Sequence, residues 1–403
     1  MKILSVVGAR PNFVKIAAVL AETRKLPWIR TVLVHTGQHY DPEMSGWFFR
    51  DLGIPQPDVN LRDCMSIGVD AAAPGGLAAM AQRLEPVLRR ESPDVVLVAG
   101  DVNSTLAGAL AAARLGIPIA HLEAGLRSFD LSMPEEINRI TTDAVSDLLF
   151  VTEPSGVCNL LNEGKRGSQI FLTGNVMIDT LKRLLPSAVR STILERLCLR
   201  KSREDAEIKK YVLVTLHRAA AVDSPEILRT LWGALNDIAA MAPVIFPIHP
   251  RTAKRFKEAG LEALSLNHEG DIPIRLIPPL GYIDFLCLEK NASLVITDSG
   301  GVQEETTALG VPCLTAREST ERPITVSDGT NTIAGLDPNR LRDEARRILS
   351  GHIKTGRAPD LWDGHAAQRV LKILMDTFMP GPRAPYAVTC RPLQSAQSFR
   401  LSS

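Results

Sequence analysis

Short apolar runs recur along the chain with helix-length amphipathic segments between them. They fall at residues 3–7, 31–35, 95–98, 117–121 and 148–151, then at 211–215, 244–248, 274–277, 294–297 and 311–314. Runs this short, rich in Val, Ile and Leu and without strict alternation, predict parallel strands covered by helices on both faces. The first series closes near Gly174, and an Arg/Lys-rich stretch over 190–210 precedes the second. The pattern therefore predicts an α/β protein of two doubly wound, Rossmann-like domains facing a cleft, residues 1–174 and 175–362. An amphipathic segment, 363–378, predicts a closing helix that packs back on the first domain, and the tail 379–403 is expected to be disordered. Ligands of such sheets sit beyond the carboxyl ends of the strands, so the residues just after each run hold the candidate chemistry.

Composition narrows the choice only a little. Hydrophobic residues make up 45% and charged residues 23% of the 403, with a formal net charge of +1. No global field recruits nucleic acid or a membrane, so an anionic ligand has to be held by local groups. No stretch of 18 apolar residues occurs, and Arg10 and Pro11 interrupt the first apolar run, which reads as a buried strand and not a leader. The six cysteines (64, 158, 198, 287, 313, 390) form no CxxC pair and no cluster with histidine. Structural zinc and a disulfide framework are disfavoured, no metal is expected, and a cytoplasmic location is.

The strand ends carry motifs. After the first run stands Gly8-Ala9-Arg10-Pro11-Asn12-Phe13-Val14-Lys15, a turn that brings a ligand to backbone and a helix N-terminus, with Arg10 and Lys15 adding charge. It is also what a tight βα turn with surface cations looks like. Gly100-Asp101 follows the third run, where Asp101 has the position of a helix N-cap. His121-Leu122-Glu123 and Pro134-Glu135-Glu136 come next. Glu123 is expected directly after a strand, and Glu135 or Glu136 alone would suit a helix start. Three carboxylates at the carboxyl ends of one sheet are nevertheless suited to acid/base work, since paired carboxylates push their pKa values apart.

In the second half, His217-Arg218 and His249-Pro250-Arg251 follow successive strands and suggest a phosphate site. The sharpest phosphate signal is Thr297-Asp298-Ser299-Gly300-Gly301, a strand end, an exposed-amide turn and a helix start. Glu304 and Glu305 are expected in the first helical turn, Glu305 placed to accept from a ribose diol. Arg322, in Ser319-Thr320-Glu321-Arg322-Pro323, supplies a further loop cation. No GxGxxG occurs, and none of the four tyrosines has a lysine four residues later, which speaks against nicotinamide chemistry.

With GARPNFVK, the Gly-Asp at 100–101, HLEAGLRS, PEEINR, TLHR, TDSGGVQEE and STERP in this order, the chain resembles the non-hydrolysing UDP-N-acetylglucosamine 2-epimerases from residue 1 to about 378. The resemblance implies the glycosyltransferase-B fold, a UDP-activated N-acetylhexosamine as substrate, no bound cofactor and a homodimer. It implies catalytic roles for Asp101, Glu123, Glu135 and His217, and UDP binding by Arg10, Ser299, Gly300, Gly301, Glu305 and Arg322. Lys15 and His249 join the binding set from their places at strand ends.

Two departures stand out. Ala220-Ala221 replace the Glu-Asn that the family carries after HR. Gln38 and His39 remain from the family's allosteric segment, but residues 66–76 have lost its polar loop, so activation by substrate is expected to be weak or absent. The rival readings are a hydrolysing 2-epimerase, a glycosyltransferase of the same fold and a catalytically dead UDP-sugar sensor. The three carboxylates weigh against the last two.

Overall fold

The computed structural model describes residues 1–38, 49–61, 74–261 and 274–379. His39, most of the 66–76 segment and residues 380–403 of the tail lie outside the described residues. The first sheet holds β1 (Lys2–Val7), β2 (Arg30–His35), β3 (Val59–Asn60), β4 (Val95–Ala99), β5 (Ile119–Ala124), β6 (Leu148–Val151) and β7 (Ile170–Leu172). The second holds β8 (Val212–Thr215), β9 (Val244–Pro247), β10 (Ile274–Ile277), β11 (Leu294–Thr297), β12 (Cys313–Thr315) and β13 (Asn331–Ile333). Their orders, β3-β2-β1-β4-β5-β6-β7 and β10-β9-β8-β11-β12-β13, are the same doubly wound plan used twice. All pairings are parallel.

Central strands are buried along their length, as in VVLVA of β4, because helices cover both faces. Strand order reverses between β1 and β4 and again between β8 and β11, so a crevice opens at each of those points. Pro118 and Pro312 shorten two predicted runs. Proline donates nothing to a ladder, and the strands begin at Ile119 and Cys313.

Two helices join the halves. Val176–Val189, capped by Asn175 accepting from the Met177 N–H at 2.9 Å, lies against the helices Arg10–Thr23, Tyr282–Asn291 and Gly300–Leu309. Ala366–Phe378 returns from the second half and packs on Arg10–Thr23 and on Val176–Val189. The Asp179 carboxylate accepts from the Ala367 N–H at 2.7 Å, and the Trp362 indole donates to the Thr152 carbonyl at 3.0 Å. One apolar core consequently runs from Ile3 and Phe13 through Val176 and Leu181 to Tyr211 and Leu286. It fixes the carboxyl ends of the two sheets opposite each other.

Candidate active site

The turn after β1 is held from inside. The Asn12 carboxamide oxygen accepts from the N–H groups of Gly8 and Ala9, both at 3.2 Å, and its nitrogen donates to the Ala99 carbonyl at 2.7 Å. Gly8 packs so closely on the Ser104 and Thr36 hydroxyls that a Cβ has no room. Arg10, the first residue of the helix, reaches the cleft. Lys15, one turn on, is buried, and its ammonium pairs with the Glu123 carboxylate under Gly100. It therefore stands among carboxylates from both halves, Asp101 and Glu304 included.

Asp101 is not a cap. The helix Asn103–Arg114 is preceded by Val102, with no side-chain cap, and the Asp101 carboxylate pairs with Arg139 instead. Burial opposes its charge, yet Arg139 and Lys15 outweigh that and bring its pKa down to about 2. It stays ionised throughout the neutral range. Glu123 lies inside β5 and not after it, at a register shift between Leu122 and Ala124 and with φ of 69°. The bulge turns its side chain out of the strand's alternation and into a buried ion pair on each side, Lys15 and Arg322, the latter at 2.6 Å.

The helix Pro134–Val145 separates the roles of its two glutamates. Glu136 is fully buried and accepts from the N–H groups of Ser128 and Phe129 and from Arg139, a structural duty. Glu135 is half-buried and, among the described residues, has no hydrogen-bond or ion-pair partner. Behind them, buried His121 bridges Asp143 at 2.7 Å and the Gly100 carbonyl at 2.9 Å, which pins the Gly100-Asp101 turn.

In the second half the Asp298 carboxylate accepts from the N–H groups of His217 and Arg218, both at 2.7 Å, and meets His217 Nδ1 at 2.9 Å. The His217 ring lies 5.6 Å from that of His249, which caps the helix Pro250–Glu258 by accepting from the Arg251 N–H. The Arg251 guanidinium is taken by Asp223, and Arg218 stands 3.4 Å from Glu321, so the expected His–cation pairs are not both aimed at a phosphate. Ser299 is the N-cap residue of Gly300–Leu309 without a side-chain cap bond. Its hydroxyl and the helix's first N–H groups form an arrangement that can hold an anion.

Glu304 and Glu305 fall in the second turn of that helix, not the first. Both are buried: Glu304 meets Arg322 at 3.1 Å and Glu305 accepts from the Tyr282 hydroxyl at 2.5 Å. Burial pushes Glu304 up to about 8 and Glu305 up to about 7. Arg322 is buried among Glu123, Glu304 and Glu321, and it nearly touches Gly300. It links the phosphate turn to the carboxylates of the first domain.

A cleft of about 160 Å³ opens between Arg10, Thr215, His217, His249, Pro279, Leu280, Tyr282 and Phe285. Its apolar lining, Leu216, Pro247, Pro279, Leu280 and Phe285, with a few polar groups among it, suits an aromatic base. Arg139, Asp298, Glu321 and Glu153 also belong to the site, without having been singled out by sequence. The first three stand inside the quoted motifs without a role. Glu153 follows β6 directly, so the strand-end rule applied to that strand would have found it. It is buried, accepts from the Ser155 hydroxyl, and burial raises it to about 7. No group of three or more metal-ligating residues occurs among the described residues, and none of their helices is long and apolar enough to cross a membrane.

Residues 21–375 match the protein-family model described as UDP-N-acetylglucosamine 2-epimerase. The chain is 42% identical over 382 residues to the UDP-N-acetylglucosamine 2-epimerase of Methanococcus maripaludis, across 94% of this chain and 100% of that protein. It is 41% identical over 358 residues to the UDP-2,3-diacetamido-2,3-dideoxy-D-glucuronate 2-epimerase of Pseudomonas aeruginosa, across 88% of this chain and 94% of the relative. Among solved structures, the UDP-GlcNAc 2-epimerase of Methanocaldococcus jannaschii in complex with UDP-GlcNAc and UDP has a TM-score of 0.82 at 38% identity. That match covers 93% of this chain and 100% of the other.

Proposed function

The chain belongs to the UDP-N-acetylglucosamine 2-epimerase family, and from that premise we propose that it interconverts UDP-N-acetylglucosamine and UDP-N-acetylmannosamine. The two relatives named above are 2-epimerases of UDP-activated acetamido sugars. One observation carries the reading. Glu123 holds Lys15 on one side and Arg322 on the other, and Arg322 packs on Gly300, so acid/base carboxylates and phosphate turn meet across a single side chain.

The pyrophosphate is assigned to Ser299, Gly300, Gly301, Arg10 and Arg322, the ribose diol to Glu305, and the base to the cleft beside Tyr282 and Phe285. The sugar then faces Asp101, Glu123, Glu135 and His217, with His249 alongside. A hydrogen on C2 beside an acetamido group is barely acidic, so elimination is favoured over simple deprotonation. The C1–O bond breaks, UDP leaves with the electron pair, a carboxylate takes the C2 proton, and a C1–C2 double bond forms. Arg322 and the turn's N–H groups stabilise charge on the departing pyrophosphate, and fixed donors of this kind lower a barrier more than any other single device a protein has. A proton delivered to the other face of C2 and re-formation of C1–O complete the inversion.

Incubation with UDP-N-acetylglucosamine in deuterated water tests this by NMR. Deuterium at C2 together with UDP-N-acetylmannosamine is expected. Free UDP with N-acetylmannosamine would make the enzyme a hydrolysing one, and absence of exchange would overturn the substrate, with the 2,3-diacetamido glucuronate as the next to try. A homodimer and a cytoplasmic location complete the proposal. Light scattering on the purified chain decides the first.

A further inference from the structure

Tyr282 and Glu289 stand seven residues apart on the helix Tyr282–Asn291, two turns along one face, and both turn toward Glu305 on Gly300–Leu309. Tyr282 donates to one oxygen of Glu305. Glu289 is fully buried, and neither of its oxygens meets a backbone N–H, a hydroxyl or a cation. The group they face is the Glu305 carboxyl. The other titratable groups around the pair are Tyr211, whose hydroxyl is spent on the Leu288 carbonyl, Cys287, Cys313 and, beyond Tyr282, Arg183. Among the described residues neither carboxyl has a salt-bridge partner.

Two carboxyl groups face to face in an apolar site cannot both ionise, so they hold one proton between them. Burial raises both carboxyls, and only Glu305 already accepts a hydroxyl donor, from Tyr282, so the shared proton belongs to Glu289, whose oxygens have no donor of their own. We propose that Glu289 is a positioning residue for nucleotide binding: as a neutral acid it donates a hydrogen bond to Glu305 and, together with the Tyr282 hydroxyl, aims the Glu305 carboxylate at the ribose diol. The proposal rests on the reading of Glu305 as the ribose acceptor. It explains why a buried carboxyl with no cation is kept two turns away from the cleft, where an apolar side chain would fill the space at lower cost.

UDP binding by calorimetry from about pH 5.5 to pH 8.5 tests it, since ribose recognition needs Glu305 ionised. E289M removes the donor. It is expected to melt no lower than the parent protein, yet to bind UDP about tenfold more weakly, the size of one hydrogen bond to a charged acceptor. The pH midpoint of its affinity is expected to move up, because Glu305 has lost a stabilising donor. E289Q, whose amide still donates, is expected to restore the affinity. E289L repeats the test in another shape should E289M fold poorly. E305Q serves as the control for the underlying reading. If E305Q weakens UDP binding while E289M and E289L keep the parent affinity and midpoint, Glu289 only fills space and the inference fails alone. If E305Q binds UDP normally, the ribose reading fails and takes the inference with it.

Discussion

Glu123 adopts a left-handed backbone conformation that side-chain-bearing residues enter at a cost of roughly 1 kcal/mol, and it does so inside a central strand. The bulge is what lets a strand residue reach Lys15 and Arg322 together, so the strain is bound to the site's electrostatics. E123Q keeps the shape and removes the charge. It is expected to lower kcat about 10² to 10⁴-fold and to abolish C2 deuterium exchange, measured by the same NMR assay, with UDP binding largely kept. Gly300 makes the complementary case. A Cβ there would collide with the Arg322 guanidinium. G300A is therefore expected to raise the KM for the UDP-sugar by about tenfold or more through displacement of Arg322, read from steady-state rates and UDP calorimetry. At this scale the sequence announced which residues stand at strand ends but not how they pair. Arg139, Asp298 and Glu321 show their full roles only once the chain is folded, because each also has a partner distant in sequence: Asp101 for Arg139, 38 residues away, His217 for Asp298 and Arg218 for Glu321. The bulge at Glu123 has no sequence signal: the apolar run ends at His121, so Glu123 reads as a residue beyond the strand and not as a bulge inside it.

Elements respond to pH through buried carboxyls. Glu153 opens the helix Pro154–Asn162, and burial raises its folded-state pKa to about 7 from an ordinary 4.5. A raised acid pKa means that its stabilising contribution is full below pH 4.5 and is lost as the pH rises through about 7. E153Q cannot ionise. Urea denaturation near pH 5 and pH 8.5 is expected to show the variant gaining on the parent by on the order of 3 kcal/mol at the higher pH, one pKa unit being about 1.4 kcal/mol. A pH-independent difference would rule out Glu153 as the titrating group. Ten of the thirteen strands were legible as apolar runs. The other three, β3, β7 and β13, are two- or three-residue strands at sheet edges, too short to stand out as runs even where, as in Ile170-Phe171-Leu172, every residue is apolar. The turn at Ser299-Gly300-Gly301 was legible as a break between a strand and a helix. The placement of Glu304 and Glu305 was not, because the helix opens already at Gly300, within the expected turn.

The whole molecule shares its largest core between the halves, by way of Val176–Val189 and Ala366–Phe378. Unfolding is therefore expected to be one cooperative transition, with far-ultraviolet circular dichroism and tryptophan fluorescence giving the same midpoint. L374A, at a fully buried position of the returning helix, is expected to lower stability by about 2–5 kcal/mol without splitting that transition. Two doubly wound halves were readable from the alternation of runs. Their common core was not, because an amphipathic helix does not declare which sheet it will cover. The backbone crosses between halves twice, once just after Gly174 and again ahead of Ala366, so the protein is a door hung on two pins. Two connections are expected to restrict rotation of one half against the other to a single axis. With both crossings intact, the shared core holds the same carboxylates against the same turn, and a nick in either crossing is expected to loosen that register.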